Sequence, residues 1–200
     1  MGIRNFAVVV EDYKSDSTHP TTPTYHRDGT CSPEYQQYVY HKSGESRIIY
    51  AYLIDLGTQQ PHWNAIRFLD QHQDLWDSTD VFLIEKQMAY GKQANIIALR
   101  MSQHILTYFS VLYGRFKSVI EFDSFHKTRV LGCPYLQRKK KVDRKKFTER
   151  LTEDLLTRRN DDWLLYYKTL KKKNDIADCI CQALAWRILT TSSYSPIRGL

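Results

Sequence analysis

RIIYAYLIDLG, Arg47 to Gly57, is the stretch on which the fold turns. Ile48 to Ile54 is an unbroken apolar run rich in β-branched and aromatic side chains, the composition of a strand buried on both faces. It stops on Asp55, and Gly57 follows to turn the chain. DVFLIE, Asp80 to Glu85, repeats the design: a short apolar strand that ends on a carboxylate. Between them WNAIRFL, Trp63 to Leu69, reads as a second strand returning antiparallel after the TQQPH loop, and SVIEF, Ser118 to Phe122, as another.

A long helix is predicted between the last two strands. Ala94, Ile97, Ala98, Met101, Ile105, Tyr108, Phe109 and Leu112 recur at helical spacing, and Ile96, Leu99, Leu106 and Tyr113 form a second apolar stripe. A helix with two apolar faces is buried on both or meets another subunit. Two more helices are predicted, a basic one from about Val142 to Leu156 and one from Asn174 to about Leu189. Strands first and helices alternating later imply an α/β layered domain.

The N-terminal part reads differently. NFAVVV, Asn5 to Val10, has the look of a short strand. From Asp12 to Ser46 the composition shifts to Ser, Thr, Pro, Gly and a tyrosine cluster without periodicity. The expected division is an N-terminal extension over 1–46 with at most one strand, a domain over 47–191 and a flexible tail over 192–200. Tyr35, Tyr38 and Tyr40 either stack on bases or, more commonly, pack onto a neighbouring surface.

With 200 residues, 42% hydrophobic and 13% aromatic, the chain has enough apolar material for a real core, which excludes a disordered protein. Its net charge of +7 is unevenly spread: Gln137 to Arg150 holds eight Lys/Arg against Asp143 and Glu149. Such clustering points to a polyanionic partner, nucleic acid most simply, or else to a solvated helix face or nuclear-import signal. Cys31, Cys133, Cys179 and Cys181 show neither CxxC spacing nor a paired framework and read as reduced thiols. Gly2 stands where myristoylation needs it, but Phe6 replaces the Ser or Thr that should follow. With no leader pattern and no run of membrane-spanning length, the expectation is a soluble, intracellular protein with no membrane partner.

Asp55 and Glu85 share a position at the carboxyl end of an apolar strand, the edge along which active sites of open α/β sheets form. Either alone could simply meet solvent. Asp175 and Asp178 add to them: three residues apart, they share a face at the start of the last helix. The helix dipole explains acids there, and Asn174 or Asp175 can cap the helix. Ala177, Ile180, Cys181 and Leu184 follow, apolar residues that would anchor the pair against a core. Four carboxylates from two strands and a helix suit two hard divalent cations about 3.5–4 Å apart, placed for in-line phosphoryl displacement.

IDLGTQQP (Ile54–Pro61), FLIEKQ (Phe82–Gln87), LQRKKK (Leu136–Lys141) and KKKNDIADCICQA (Lys171–Ala183) occur in the order and at about the spacing of the RuvC-like Holliday junction resolvases. The chain resembles most the resolvases of poxviruses and related large DNA viruses, from roughly Ile48 to Ala185. The resemblance implies an RNase H-like fold with a mixed central sheet flanked by helices. It implies a homodimer without a small-molecule cofactor, acting in the host cytoplasm or nucleus. The implied activity is nicking of two opposed strands of a four-way DNA junction with two Mg2+ ions, for which Mn2+ substitutes. Asp55 matches the first-strand aspartate, Glu85 the glutamate of an IExQ-like motif, and Asp175 and Asp178 the C-terminal DxxD pair, all as metal ligands. The lysine near the scissile phosphate matches Lys139 or Lys140. Lys127, Arg138, Lys141, Arg144 and Lys145 are the expected DNA contacts. Two departures stand out: DLGTQQPHWNA replaces the DIGxxNPA of the viral relatives, and RRNDDWLLYY, Arg158 to Tyr167, lengthens the interval before Asp175.

Three rivals compete. Actin-like ATPases share DLGT but need two such domains and a second Gly-rich phosphate loop. Another nuclease of the same superfold could act on RNA–DNA hybrids or in transposition. A non-catalytic nucleic-acid-binding protein would use the basic helix alone, but its acids would repel phosphate.

Overall fold

The computed structural model of the chain describes residues 5–13, 30–89, 95–134 and 138–191. Along them the elements run β1 (Phe6–Tyr13), α1 (Pro33–Gly44), β2 (Ser46–Ile54), α2 (Pro61–Asp70), α3 (Gln73–Asp77), β3 (Val81–Lys86), α4 (Ile96–Tyr113), β4 (Ser118–Asp123), α5 (Ser124–Val130), α6 (Lys141–Arg158), α7 (Leu164–Thr169) and α8 (Asn174–Thr191). The fold is mixed α/β, with small sheets, β1 with β2 and β3 with β4, flanked by helices. The chain divides into two units, Met1–Val8 with Tyr52–Ser124 and Val9–Ala51 with Phe125–Leu200.

The first unit is built on a parallel pair. Val81 lies opposite Ser118 and Glu85 opposite Phe122. Parallel strands need a crossover, and α4 supplies it. Asn95 caps α4 by accepting the Ala98 N–H at 3.1 Å. The buried stripe of α4 comprises Ala98, Met101, Ser102, Ile105, Phe109 and Tyr113. Phe109 stacks on Phe82 of β3 at 4.2 Å between ring centroids and meets Trp76 edge-on at 5.7 Å. The buried Trp76 indole donates to the Leu69 carbonyl at 2.7 Å, so its one polar atom is satisfied.

The second unit is helical around α6 and α8. Ile176, Ala177, Ile180, Cys181, Leu184, Ala185 and Ile188 of α8 are each at most 1% exposed, as are Leu155 and Leu156 of α6. Burying a side chain of Leu or Ile size contributes about 1.5–3 kcal/mol. This core is what fixes the start of α8 in place. Tyr167 of α7 closes it, its hydroxyl donating to the Glu149 carbonyl at 3.2 Å.

Three sequence expectations are corrected. Trp63 to Leu69 is helical, within α2: Pro61 stands at its N-terminus, and Ala65 and Leu69, four apart, form the buried face. Its Trp, Ile and Phe raised the apparent strand propensity, and packing overrode it. Within the supposed extension Pro33–Gly44 is a helix. Ser32 accepts the Tyr35 N–H at 3.3 Å, and Tyr35, Tyr38, Val39, Lys42 and Ser43 are buried at helical spacing. The period is hidden in the sequence because two of those positions are polar. Lys42 is buried against Glu45, 2.9 Å from its carboxylate. Tyr35 and Tyr38 thus pack inward; Tyr40 is exposed, with the Arg158 guanidinium 3.9 Å above its ring. Finally, β2 is not buried throughout: Ile48 and Ala51, on opposite faces of the strand, are 2% and 1% exposed, but Ile49 and Tyr52 are 47% and 49%.

The predicted strand at Asn5–Val10 is β1, and those at Asp80–Glu85 and Ser118–Phe122 are β3 and β4; the predicted helices are α4, α6 and α8. Ala94, residues 14–29 of the supposed extension, the start of LQRKKK and the tail over 192–200 lie outside the described residues. Among the described residues no helix is long and apolar enough to cross a membrane. The four cysteines are free thiols.

Candidate functional site

In the first unit β2 runs out at Ile54 and leaves Asp55 exposed at the head of a loop. The Gly57 N–H donates to Asp55 Oδ1 at 2.8 Å, closing a tight turn. Gly57 has a φ of +69°, and a Cβ there would meet nothing within 4 Å, so the backbone angle rather than space demands glycine. Asn64 in the first turn of α2 then clamps the loop, donating from Nδ2 to the carbonyls of Leu56 at 2.8 Å and Gln59 at 3.2 Å. Asn64 is the asparagine that the longer DLGTQQPHWNA loop displaces, and here it holds that loop's backbone. Glu85 lies near the end of β3, on the strand face opposite the buried Phe82 and Ile84. Gln87 donates from Nε2 to Glu85 Oε2 at 3.0 Å, which braces the carboxylate.

In the second unit the start of α8 carries the other two acids, Asp175 in the first turn and Asp178 just after it. Asn174 Nδ2 donates to Asp175 Oδ1 at 3.0 Å, and Lys172 Nζ lies 2.9 Å from Oδ2. At least this lysine of the KKK run therefore offsets nearby acid. Side chains from two other helices hold Asp178. Lys127 Nζ of α5 lies 2.9 Å from Oδ2, and Thr148 of α6 donates to Oδ1 at 3.2 Å. The Lys127 side chain is only 10% exposed and that of Asp178 26%, so this ion pair is poorly solvated and screened less than a surface pair.

Lys127 had been expected on the DNA backbone, and Lys139 or Lys140 near the acids. Lys127 meets Asp178, while Lys139, Lys140 and Lys141 are exposed where α6 begins. Arg144 Nη1 donates to the Arg138 carbonyl at 3.2 Å, tying the segment before α6 to the helix. Lys145 is half-buried on α6.

Asp55 and Glu85 thus belong to one unit, Asp175 and Asp178 to the other. Among the described residues no group of three or more His, Cys, Asp or Glu is gathered closely enough to hold a metal ion. The donor chemistry of the individual residues fits a hard cation nevertheless. All four offer carboxylate oxygens, the ligands magnesium takes. Asp178 already holds one positive charge against its Oδ2.

No known protein family and no solved structure matches the chain. Two viral proteins do. Uncharacterized protein 170L of Invertebrate iridescent virus 6 is 30% identical over 145 residues, covering 63% of this chain and 57% of that protein. Uncharacterized protein 97L of Invertebrate iridescent virus 3 is 33% identical over 134 residues, covering 67% of this chain and 58% of that protein. The chain spans less than three fifths of the length of either relative.

Proposed function

We propose that this chain is a metal-dependent endonuclease with an RNase H-like core, similar to the viral RuvC-like resolvases, which resolves four-way DNA junctions by nicking two opposed strands. The observation that carries the reading is the Asp178 carboxylate near the start of α8, gripped by Lys127 and Thr148, with Asp175 in the first turn before it. An acid that serves only the helix dipole needs neither a poorly solvated lysine nor a buried hydroxyl. Charges arranged in this way cluster at functional sites.

In this reading Asp55, Glu85, Asp175 and Asp178 would hold two Mg2+ or Mn2+ ions. Bound, these supply a Lewis acid for the phosphoryl oxygen and a water of lowered pKa. The Gly57 N–H orients Asp55 by one oxygen, and Gln87 orients Glu85. Lys127 joins Lys139 or Lys140 as a lysine of the site, its ammonium offering charge to a phosphate oxygen beside Asp178. Arg138, Lys139, Lys140, Lys141, Arg144 and Lys145 track backbone phosphates, so binding weakens with salt.

The test is a synthetic four-way junction incubated with the purified protein and magnesium. Paired nicked duplexes are the expected products, with linear duplex and RNA–DNA hybrid cut far more slowly. Equal cutting of all three would favour a general nuclease of the same superfold. Junction binding without cutting in either Mg2+ or Mn2+ would leave only the non-catalytic alternative.

A four-way junction presents two equivalent strands related by a two-fold axis, which a symmetric dimer matches. The first unit offers a face for it. Ile96, Ile97, Val111 and Leu112 of α4 are 48–74% exposed, and Trp63 of α2 is 55% exposed. The stacked rings of His62 and His104, 5.5 Å between centroids, join α2 to α4. Exposed apolar residues gathered into a patch mark association sites. Val111→Glu is expected to convert a dimer to a monomer in size-exclusion chromatography with light scattering, and a wild-type monomer would count against the dimer.

A further inference from the structure

We infer that Thr148 is a positioning residue that sets the orientation of the Asp178 carboxylate toward a divalent cation; the inference rests on the proposed metal site. A threonine inside a helix ordinarily returns its hydroxyl proton to its own backbone. Thr148 has that option, with the Lys145 carbonyl 3.0 Å away. It also has Asp178 Oδ1 at 3.2 Å, on another helix thirty residues away in the chain. One hydroxyl proton serves one acceptor well, and a charged acceptor makes the stronger bond. Thr148 is 1% exposed, so water cannot take over the role.

The surroundings support a designed contact. Thr152, one turn on and 0% exposed, faces Cys181 Sγ at 3.7 Å, and Cys181 Sγ also lies 3.8 Å from the Thr148 carbonyl. A polar seam therefore runs between α6 and α8 inside an otherwise apolar contact. Its Thr148 end meets the Asp178 carboxylate. The two Asp178 oxygens are thus held from separate elements, Oδ2 by Lys127 of α5 and Oδ1 by Thr148 of α6. Lys127 is a cation that a metal can replace, whereas Thr148 is neutral and stays compatible with one. Partners behind a ligand in this way orient it, and their loss typically weakens metal affinity 10–100-fold.

The experiment is Mn2+ binding to the full chain without DNA, followed by isothermal titration, with thermal unfolding recorded for each variant. Thr148→Val keeps the shape and removes the donor, and Thr148→Ser restores it. Thr148→Val should raise the Mn2+ dissociation constant about tenfold or more, while Thr148→Ser stays within about twofold of wild type. If Thr148→Val does not fold, Thr148→Ala takes its place with the same expectation. Wild-type affinity in the donor-less variant, or equal weakening in Thr148→Ser, would overturn the inference while leaving the metal site standing. A wild-type protein that takes up no Mn2+ at all would overturn the metal site itself, and this inference with it.

Discussion

Asp55→Asn is expected to abolish cleavage of a four-way junction while leaving junction binding within about twofold of wild type, since phosphate contacts dominate affinity. The substitution is nearly isosteric. Its amide oxygen can still accept the Gly57 N–H that shapes the loop, so the turn at 55–57 should persist. What is lost is the negative charge and, in the proposed metal site, a full-strength ligand oxygen. Removing one preorganised electrostatic partner of a developing charge costs roughly 10²–10³-fold in rate, and a directly coordinating ligand should cost at least that much. Gel shift and single-turnover cleavage on the same junction separate the two effects. Binding that fell in step with cleavage would mean Asp55 shapes the surface rather than the chemistry. Unchanged cleavage would remove Asp55 from the site.

Glu11→Gln is expected to lose about 3–5 kcal/mol of folding stability, the usual cost of breaking a buried ion pair from one side. The Glu11 side chain on β1 is 5% exposed and faces two guanidinium groups, Arg159 at 3.6 Å and Arg187 at 3.3 Å, which are 8% and 4% exposed. Burial pulls the Arg159 pKa down and Glu11 opposes that, while Arg187 adds to the decrease. Arg159 is further fixed by donating from Nε to the Ser43 carbonyl and from Nη2 to Ser46 Oγ at 2.7 Å. Arg187 lies 4.8 Å above the Tyr13 ring. Without the carboxylate, two positive charges would remain buried against each other. Urea unfolding followed by circular dichroism reads the change as a shift in midpoint at constant slope. A loss below about 1 kcal/mol would show the network to be solvated and weak.

The Glu11 network also shows where reading the chain alone stops. Glu11 lies in a segment expected to be a peripheral extension, and its partners are near the far end of the chain. No spacing rule connects residues so far apart. The helix Pro33–Gly44 escaped for a related reason, since its buried stripe includes Lys42 and Ser43 and so lacks an apolar period. Lys127 is a third case. Its place at Asp178 comes from α5 meeting α8, whereas Lys139 and Lys140 were matched to the acids by the resemblance.

What the sequence by itself determined is local. The periods of α4 and α8, the basic helix α6, the apolar runs of β2, β3 and β4, and the acids that end strands or begin a helix were all legible, because neighbours within a turn or a strand create those patterns. Tertiary structure decided which charges meet. It placed Lys127 and Thr148 on Asp178, put Glu11 between two arginines, and made Trp63 to Leu69 a helix against its strand-like composition. The physical reason is the cost of burying polar groups: whether a charge is solvated or must find a partner depends on which elements pack around it, not on the residues beside it in the chain.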